Sequence, residues 1–263
     1  MNGEAIRTQP FDPSSSPEFT SGNLRAGISA KLMLLILSAE CCFRNCVCCI
    51  ESHMKRNSSP AQSGYTLPEL RKSAAGCQAC DLYRNATQTV FGEGPQHARV
   101  VMIGEQPGDR EDREGRPFVG PAGTLLDKAL AAAGMDRKEV YVTNIVKHFK
   151  WEPRGKRRIH KKPNAVEISA CRSWLDAELA AIQPQVVVLM GATAAQSLLG
   201  RQFLVTQKRG QWVPSTIAPY VLATVHPSSI LRAEGEKSRQ EEFSKFVGDL
   251  KPVASLIQQR KAA

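Results

Sequence analysis

The sequence predicts an α/β fold, a three-layer α/β/α arrangement around a central parallel sheet. Three observations predict it. Short, nearly continuous apolar runs recur at Arg99–Ile103, Val140–Val146, Val186–Met190 and Tyr220–Val225, as strands buried on both faces do. Segments of helical length separate them. A polar loop follows each run, and in such sheets the ligand crevice lies beyond the carboxyl ends of the strands. The loops after Ile103, Asn144, Met190 and Val225 are therefore expected to converge.

Taken in order, Leu67–Ala75 suits a helix with Thr66 as N-cap. The strand over Arg99–Ile103 leads into a glycine-rich loop. A helix over Ala122–Ala133 stops at Gly134, and Val140–Val146 is the second strand. Residues 148–163 read as a basic loop. Asn164–Ile182 is a helix, with Asn164 and Glu167 spaced as a reciprocal cap. The strand Val186–Met190 feeds a helix through Leu199, and Tyr220–Val225 is followed by a final helix over Gln240–Gln258. Residues 1–62 show turn-rich Ser-Pro segments and little periodicity, and are predicted to be a disordered extension before a domain at 63–263. A short helix at 30–38 fits there. The thiols Cys41, Cys42, Cys46, Cys48 and Cys49 beside it read as incidental, with metal binding the alternative.

The chain has 263 residues, 42% of them hydrophobic, enough to bury a sizeable core. Its formal net charge of +10 favours a polyanionic partner, though charge speaks to association and not to chemistry. No secretory signal is recognisable, and the apolar run at 32–37 is too short to span a bilayer. A reducing, cytoplasmic setting is expected, at the nucleoid when the chain is on DNA, and the chain is expected to be a monomer without membrane contact.

The first loop reads GEQPGDREDREGRPFVG from Gly104 to Gly120. Glu105, Asp109 and Asp112 are candidates for acid–base or water-positioning work, and Phe118 for stacking on a base. The second begins TNIVKH at Thr143, where the Asn144 amide can both donate and accept toward a pyrimidine edge. The last is VHPSSILR from Val225, where His226 can donate to a developing anion. Singly, Asn144 and His226 are more often structural caps, and the first loop reads equally as a polar surface loop with one core phenylalanine.

Together, and in this order on an α/β pattern, the three motifs resemble those of the iron–sulfur uracil-DNA glycosylases, over about Leu67–Gln258. The resemblance implies that Phe118 stacks on an extruded uracil, that Asn144 reads its Watson–Crick edge and that His226 stabilises the leaving base. Ser228, Ser229 and Arg232 would contact the DNA backbone. Extrusion is a physical necessity, since the bond to be cut is out of reach inside a duplex. Two departures narrow the likeness. Gln106 stands where common members carry alanine, and a basic insertion runs Lys156-Arg157-Arg158-Ile159-His160-Lys161. Both resemble the UdgX-like branch, whose members trap themselves on the abasic sugar. That likeness implies His160 as nucleophile, with Glu105 orienting it and Gln106 beside the uracil. Lys156, Arg157, Arg158 and Lys161 would hold phosphates and depress the imidazole's pKa. On its own the insertion reads as a solvated basic loop or a localisation signal.

The same resemblance implies a [4Fe–4S] cluster. Its ligand positions map onto Cys77, Cys80 and Cys171, with His148 where the family has a further cysteine. Alone, the CxxC at Cys77 is a weak metal signal. The expectation is therefore uracil excision from DNA, preferably single-stranded, ending in a His160–C1′ adduct. An ordinary turnover glycosylase and a non-catalytic iron–sulfur nucleic-acid-binding module are the alternatives.

Overall fold

The computed structural model describes residues 64–259. The expected helix at 30–38 and the thiols from Cys41 to Cys49 lie outside them. In chain order the elements are α1 (Leu67–Ala74), β1 (Val100–Gly104), α2 (Asp109–Glu114), α3 (Pro121–Ala133), β2 (Val140–Asn144), β3 (Trp151–Arg154), β4 (Arg157–His160), α4 (Ala165–Ile182), β5 (Val186–Met190), α5 (Ala192–Leu199), α6 (Val205–Lys208), β6 (Tyr220–Thr224), α7 (Pro227–Leu231) and α8 (Gly235–Gln259). Four strands form one parallel sheet in the order β2-β1-β5-β6. From β1 the chain moves outward to β2, then returns to the other side of β1 as β5. That reversal opens a crevice beyond the ends of β1 and β5.

Alternate residues of each strand serve opposite layers, which is why the strands read as continuous apolar runs. Val101, Ile103, Val187 and Leu189 face a core with Leu70 of α1, Leu175 of α4 and Ala194 of α5. Val100, Met102, Val186 and Val188 face Leu126 of α3, Ile230 of α7 and Phe246 of α8. The fold is thus the expected three-layer α/β/α.

The predicted caps form. The Glu69 carboxylate accepts the Thr66 N–H at 2.8 Å. The Asn164 N–H donates to Glu167 at 2.7 Å, while the Glu167 N–H donates to Asn164 Oδ1 at 2.9 Å. Gly134 ends α3 in the left-handed region at φ 82°.

Three expectations are corrected. Residues 148–163 are not simply a loop, because β3 and β4 pair as an antiparallel hairpin that sets Trp151 opposite His160. Its two-residue turn uses Gly155 at φ 59°. The acidic stretch after Gly108 is helical as α2, a helix too short and too charged to show an apolar period. The last helix begins five residues earlier than expected, at Gly235, where its polar first turn gave no signal. Among the described residues no helix is long and apolar enough to cross a membrane.

Candidate active site

The site starts from a side chain that is missing. A Cβ at Gly104, the last residue of β1, would lie 2.4 Å from Asn144 Oδ1, 2.8 Å from Phe118 Cζ and 3.3 Å from His226 Nε2. Three residues from three different loops therefore meet over one bare patch of backbone. Any larger residue there would fill the space. They line a cleft of about 590 Å³ together with Glu105, Gln106 and His160.

Each of the three is held in a different way. Phe118 sits at φ 57°, a left-handed conformation that a phenylalanine adopts only when its surroundings impose it. Glu111 imposes it in part, accepting the N–H groups of Gly108 at 3.1 Å and Gly120 at 2.7 Å and so pinning both ends of the loop. Gly123 completes the constraint, since a Cβ there would lie 1.7 Å from the Phe118 carbonyl oxygen.

Asn144 ends β2 and is buried, yet its Oδ1 has no hydrogen-bond partner. A buried acceptor left without a donor is costly unless a ligand supplies one. Behind it, the Lys147 ammonium donates to the Asn144 carbonyl at 2.8 Å, to Thr143 Oγ1 at 2.6 Å and to Glu178 at 2.5 Å. Both members of that ion pair have fully buried side chains. Glu178 also accepts from Tyr141 and from the Gly92 N–H, each at 2.9 Å, so the charge is satisfied.

His226 caps α7. Its Nδ1 accepts the Ser228 N–H at 3.2 Å and lies 2.8 Å from Ser228 Oγ. Burial, then the nearby Arg232 and His160, push its pKa from 6.5 down to about 4. The ring is neutral at pH 7, with Nε2 toward the pocket.

The hairpin brings in His160, whose Nε2 lies 3.5 Å from Glu105 Oε1. Burial is the main cause lowering its pKa, with Glu105 opposing and Arg232 adding. Arg232, and not the insertion's own cations, is the positive charge that does this. The hairpin is anchored at two places. The Gln106 amide donates to the carbonyls of Lys150 and Lys161, both at 3.1 Å, and accepts the Lys150 N–H at 3.2 Å. Those residues flank the two ends of the hairpin, so Gln106, itself in the cleft lining, is engaged with their backbone. Arg158 turns inward, to Asp109, to Asp112 at 2.6 Å and to Thr87 Oγ1 at 3.1 Å. It also lies over the rings of Phe149 and Trp151.

The structure therefore divides the expected site residues. Asp109 and Arg158 hold each other outside the cleft lining. Lys156 and Arg157 are exposed at the hairpin tip, and Lys161 is exposed and paired with Glu152 at 2.9 Å. Ser228, Ser229 and Arg232 line the cleft mouth. The Lys147–Glu178 pair and the Glu111 bracket were not foreseen. Spacing could have flagged Glu111 alone, as a Glu three residues after Gly108.

The cysteines lie on the far side of Lys147. Cys171 of α4 accepts the Lys147 N–H at 3.2 Å, and Cys77 accepts the Trp174 indole N–H at 3.1 Å. Cys77 and Cys80 are close enough to Cys171 to raise its pKa, which burial, the larger cause, pushes up to about 12. N–H donors thus already point at two of these sulfurs. His148 Nε2 is 2.9 Å from Thr89 Oγ1. Among the described residues no three His, Cys, Asp or Glu side chains are gathered closely enough to hold a metal.

A doubly covered parallel sheet, with a crevice at its reversal point floored by an aromatic ring, an orphaned acceptor and a neutral imidazole, defines an α/β protein with its candidate site beyond the strand ends. The comparison with known families agrees and goes further. The sequence model of the Uracil DNA glycosylase superfamily matches residues 91–251, and the chain belongs to that superfamily. Similar proteins include the Type-4 uracil-DNA glycosylase of Thermotoga maritima, 39% identical over 165 residues, or 62% of this chain and 82% of the relative. The Type-4 uracil-DNA glycosylase of Archaeoglobus fulgidus is 33% identical over 195 residues, 70% of this chain and 93% of the relative. A Type-5 uracil-DNA glycosylase of Pyrobaculum aerophilum is 32% identical over 154 residues, 52% of this chain and 64% of the relative.

Proposed function

We propose that this protein excises uracil from DNA, most readily from single strands, and then bonds through His160 to C1′ of the abasic sugar. The observation that carries the base assignment is the orphaned Asn144 Oδ1. Uracil offers an N3–H to that acceptor, whereas cytosine presents a lone pair at the same place. The stacking ring of Phe118 and the donor of His226 lie at the same floor. Single strands are favoured because an unstacked, unpaired base costs least to extrude.

The proposed chemistry balances as follows. The C1′–N1 bond breaks and its electron pair leaves with uracil, whose developing anion is met by the His226 N–H. The sugar left behind is oxocarbenium-like and electrophilic at C1′. A ring nitrogen of neutral His160 donates its lone pair to C1′, forming the N–C1′ bond, and the ring proton passes to the Glu105 carboxylate 3.5 Å away. A cluster on Cys77, Cys80 and Cys171, with His148 as the fourth position, belongs to the same proposal. It would brace α4 and the chain after β2, and supply no electron to the reaction.

The test is a denaturing gel. Wild-type protein and uracil-containing oligonucleotide should give a heat-stable complex at one DNA per chain, and DNA without uracil should give none. His160→Ala should release uracil over many turnovers without forming the complex. A wild-type protein that turns over freely and leaves no heat-stable complex refutes the adduct and leaves the ordinary glycosylase.

A further inference from the structure

Resting on the reading of His226 as donor to the leaving base, the geometry points to a role for Arg232: it is a positioning residue that acts through the Ser228 hydroxyl to keep the His226 ring proton on Nε2, and not chiefly a phosphate contact. Hydrogen-bond polarity fixes the role of each group. A backbone N–H can only donate, so the Ser228 N–H at 3.2 Å makes His226 Nδ1 an acceptor. A guanidinium can also only donate, so Arg232 Nη1, 3.2 Å from Ser228 Oγ, occupies a lone pair of that hydroxyl. The hydroxyl proton is then free to point along the 2.8 Å line to His226 Nδ1. Both donors meet Nδ1, and the single proton of the neutral imidazole must sit on Nε2.

Nε2 is the nitrogen that faces the pocket floor, 3.3 Å from the place a Gly104 Cβ would take and beside Asn144 Oδ1 and Phe118 Cζ. The other tautomer would present a lone pair to the departing base and repel it. Without Arg232 the Ser228 hydroxyl is free to rotate, and one of the two constraints on the tautomer is lost. Ser229 supports the arrangement by donating from Oγ to the His226 carbonyl at 2.7 Å, which fixes the backbone from which the ring projects. The same guanidinium also lowers the basicity of His226 and His160, second to burial at His226. A cation that adds to burial in keeping two imidazoles neutral suits a site needing an N–H from one and a lone pair from the other.

The experiment has two arms. In the first, protein with ¹⁵N-labelled histidine is examined by long-range ¹H–¹⁵N correlation at pH 7. His226 should appear as the Nε2–H tautomer in the wild type, and Arg232→Gln should shift it toward a mixture. An unchanged tautomer in Arg232→Gln overturns the proposal. In the second, single-turnover uracil release and the salt dependence of DNA binding are measured on the same oligonucleotide. Arg232→Gln should slow release about fivefold to tenfold, the worth of one hydrogen bond, and leave the salt slope of binding unchanged. Ser228→Ala should slow release to a similar degree, and the double variant should be no slower than Ser228→Ala, because the two act in series. Additive losses, or a salt slope that falls by about 0.7 as one lost phosphate contact on a single strand requires, would show that Arg232 works on the DNA. If the wild type releases no uracil, the glycosylase reading fails, while the first arm still decides whether Arg232 sets the tautomer.

Discussion

Replacing Gln106 with Ala should separate uracil release from adduct formation. The Gln106 amide makes three hydrogen bonds to the backbone around the hairpin ends, at 3.1, 3.1 and 3.2 Å, from a side chain that is almost wholly buried. At a net worth of about 0.5–1.5 kcal/mol each, they hold the hairpin by roughly 1.5–4.5 kcal/mol. Lys150 and Lys161 recover part of this from water once the amide is gone, so a loss near 2 kcal/mol is the working figure, or about 30-fold in the docking equilibrium. Arg158 still tethers β4 to Asp109 and Asp112, so the hairpin loosens and stays attached. Gly104, Phe118, Asn144 and His226 are untouched. Rapid-quench experiments with labelled uracil-DNA read free uracil and heat-stable adduct from one sample. Release should stay within about threefold of wild type, and capture should shift toward water by up to about 30-fold. Equal loss of release and capture would refute this reasoning and return Gln106 to the base-binding site. A wild-type adduct yield would show that the hairpin needs no clamp.

Asn144→Asp should cut single-turnover uracil release by about 10⁴, because the carboxylate still accepts from N3–H but no longer supplies the amide N–H that meets a uracil carbonyl at this buried site. Release within tenfold of wild type places the reader elsewhere. Glu178→Gln leaves the fully buried Lys147 ammonium without its counter-charge and should destabilise the domain by about 3–5 kcal/mol, read as a melting temperature lower by roughly 6–20 °C. Protein purified without chelator should be brown and carry about four irons per chain. Zinc in their place contradicts the cluster, and His148→Cys should retain iron at least as well. With the pKa of His226 held near 4 against an ordinary 6.5, the folded chain binds fewer protons than the unfolded chain between those values. Its contribution to stability is therefore complete above about pH 6.5 and declines as pH falls toward 4. Uracil release at limiting DNA should stay level from neutral pH to about 5 and drop near 4, and a drop centred at 6.5 would mean an exposed, ordinary histidine.

The strands and the reading residues were legible in the sequence because each carries a local signal. Burial on both faces writes β5 as Val-Val-Val-Leu-Met, and the reciprocal cap at Asn164 and Glu167 writes the start of α4. Phe118, Asn144 and His226 sit at loop positions that the topology brings together, so placing the strands places them. The hairpin was missed because its strands are only four residues each, largely exposed and charged, and show no alternation of apolar residues. Arg158 in a KRRIH run looks solvated until Asp109 and Asp112 are seen to face it from α2. Gln106 looks like a base ligand until the backbone of Lys150 and Lys161 is found within reach. Lys147 and Glu178 are separated by 31 positions, and no local pattern says that two opposite charges will be buried against each other.

One loop does two jobs, and that bears on how a trapping enzyme can arise from a turnover one. Gly104 and Phe118, at the loop's two ends, border the pocket proposed to read the base. Between them, Gln106 lines the cleft and, with Asp109 and Asp112 outside its lining, grips the hairpin that carries His160. On this proposal reading depends on strand ends fixed by the sheet, whereas the trap depends largely on Asp109, Asp112 and Arg158, outside the cleft lining. A hairpin gripped this way can be gained or lost without moving Asn144 or His226. On this proposal, the fate of the sugar is decided by what stands beside C1′ after the base has gone, water or an imidazole held by Gln106 and Arg158. The base step and the capture step then respond to separate sets of mutations, and the order in which substitutions accumulated would be constrained. Asp112 has a second role without the hairpin, since it accepts the Thr87 N–H at 2.9 Å, whereas the Gln106 side chain makes its hydrogen bonds to the residues that flank the hairpin.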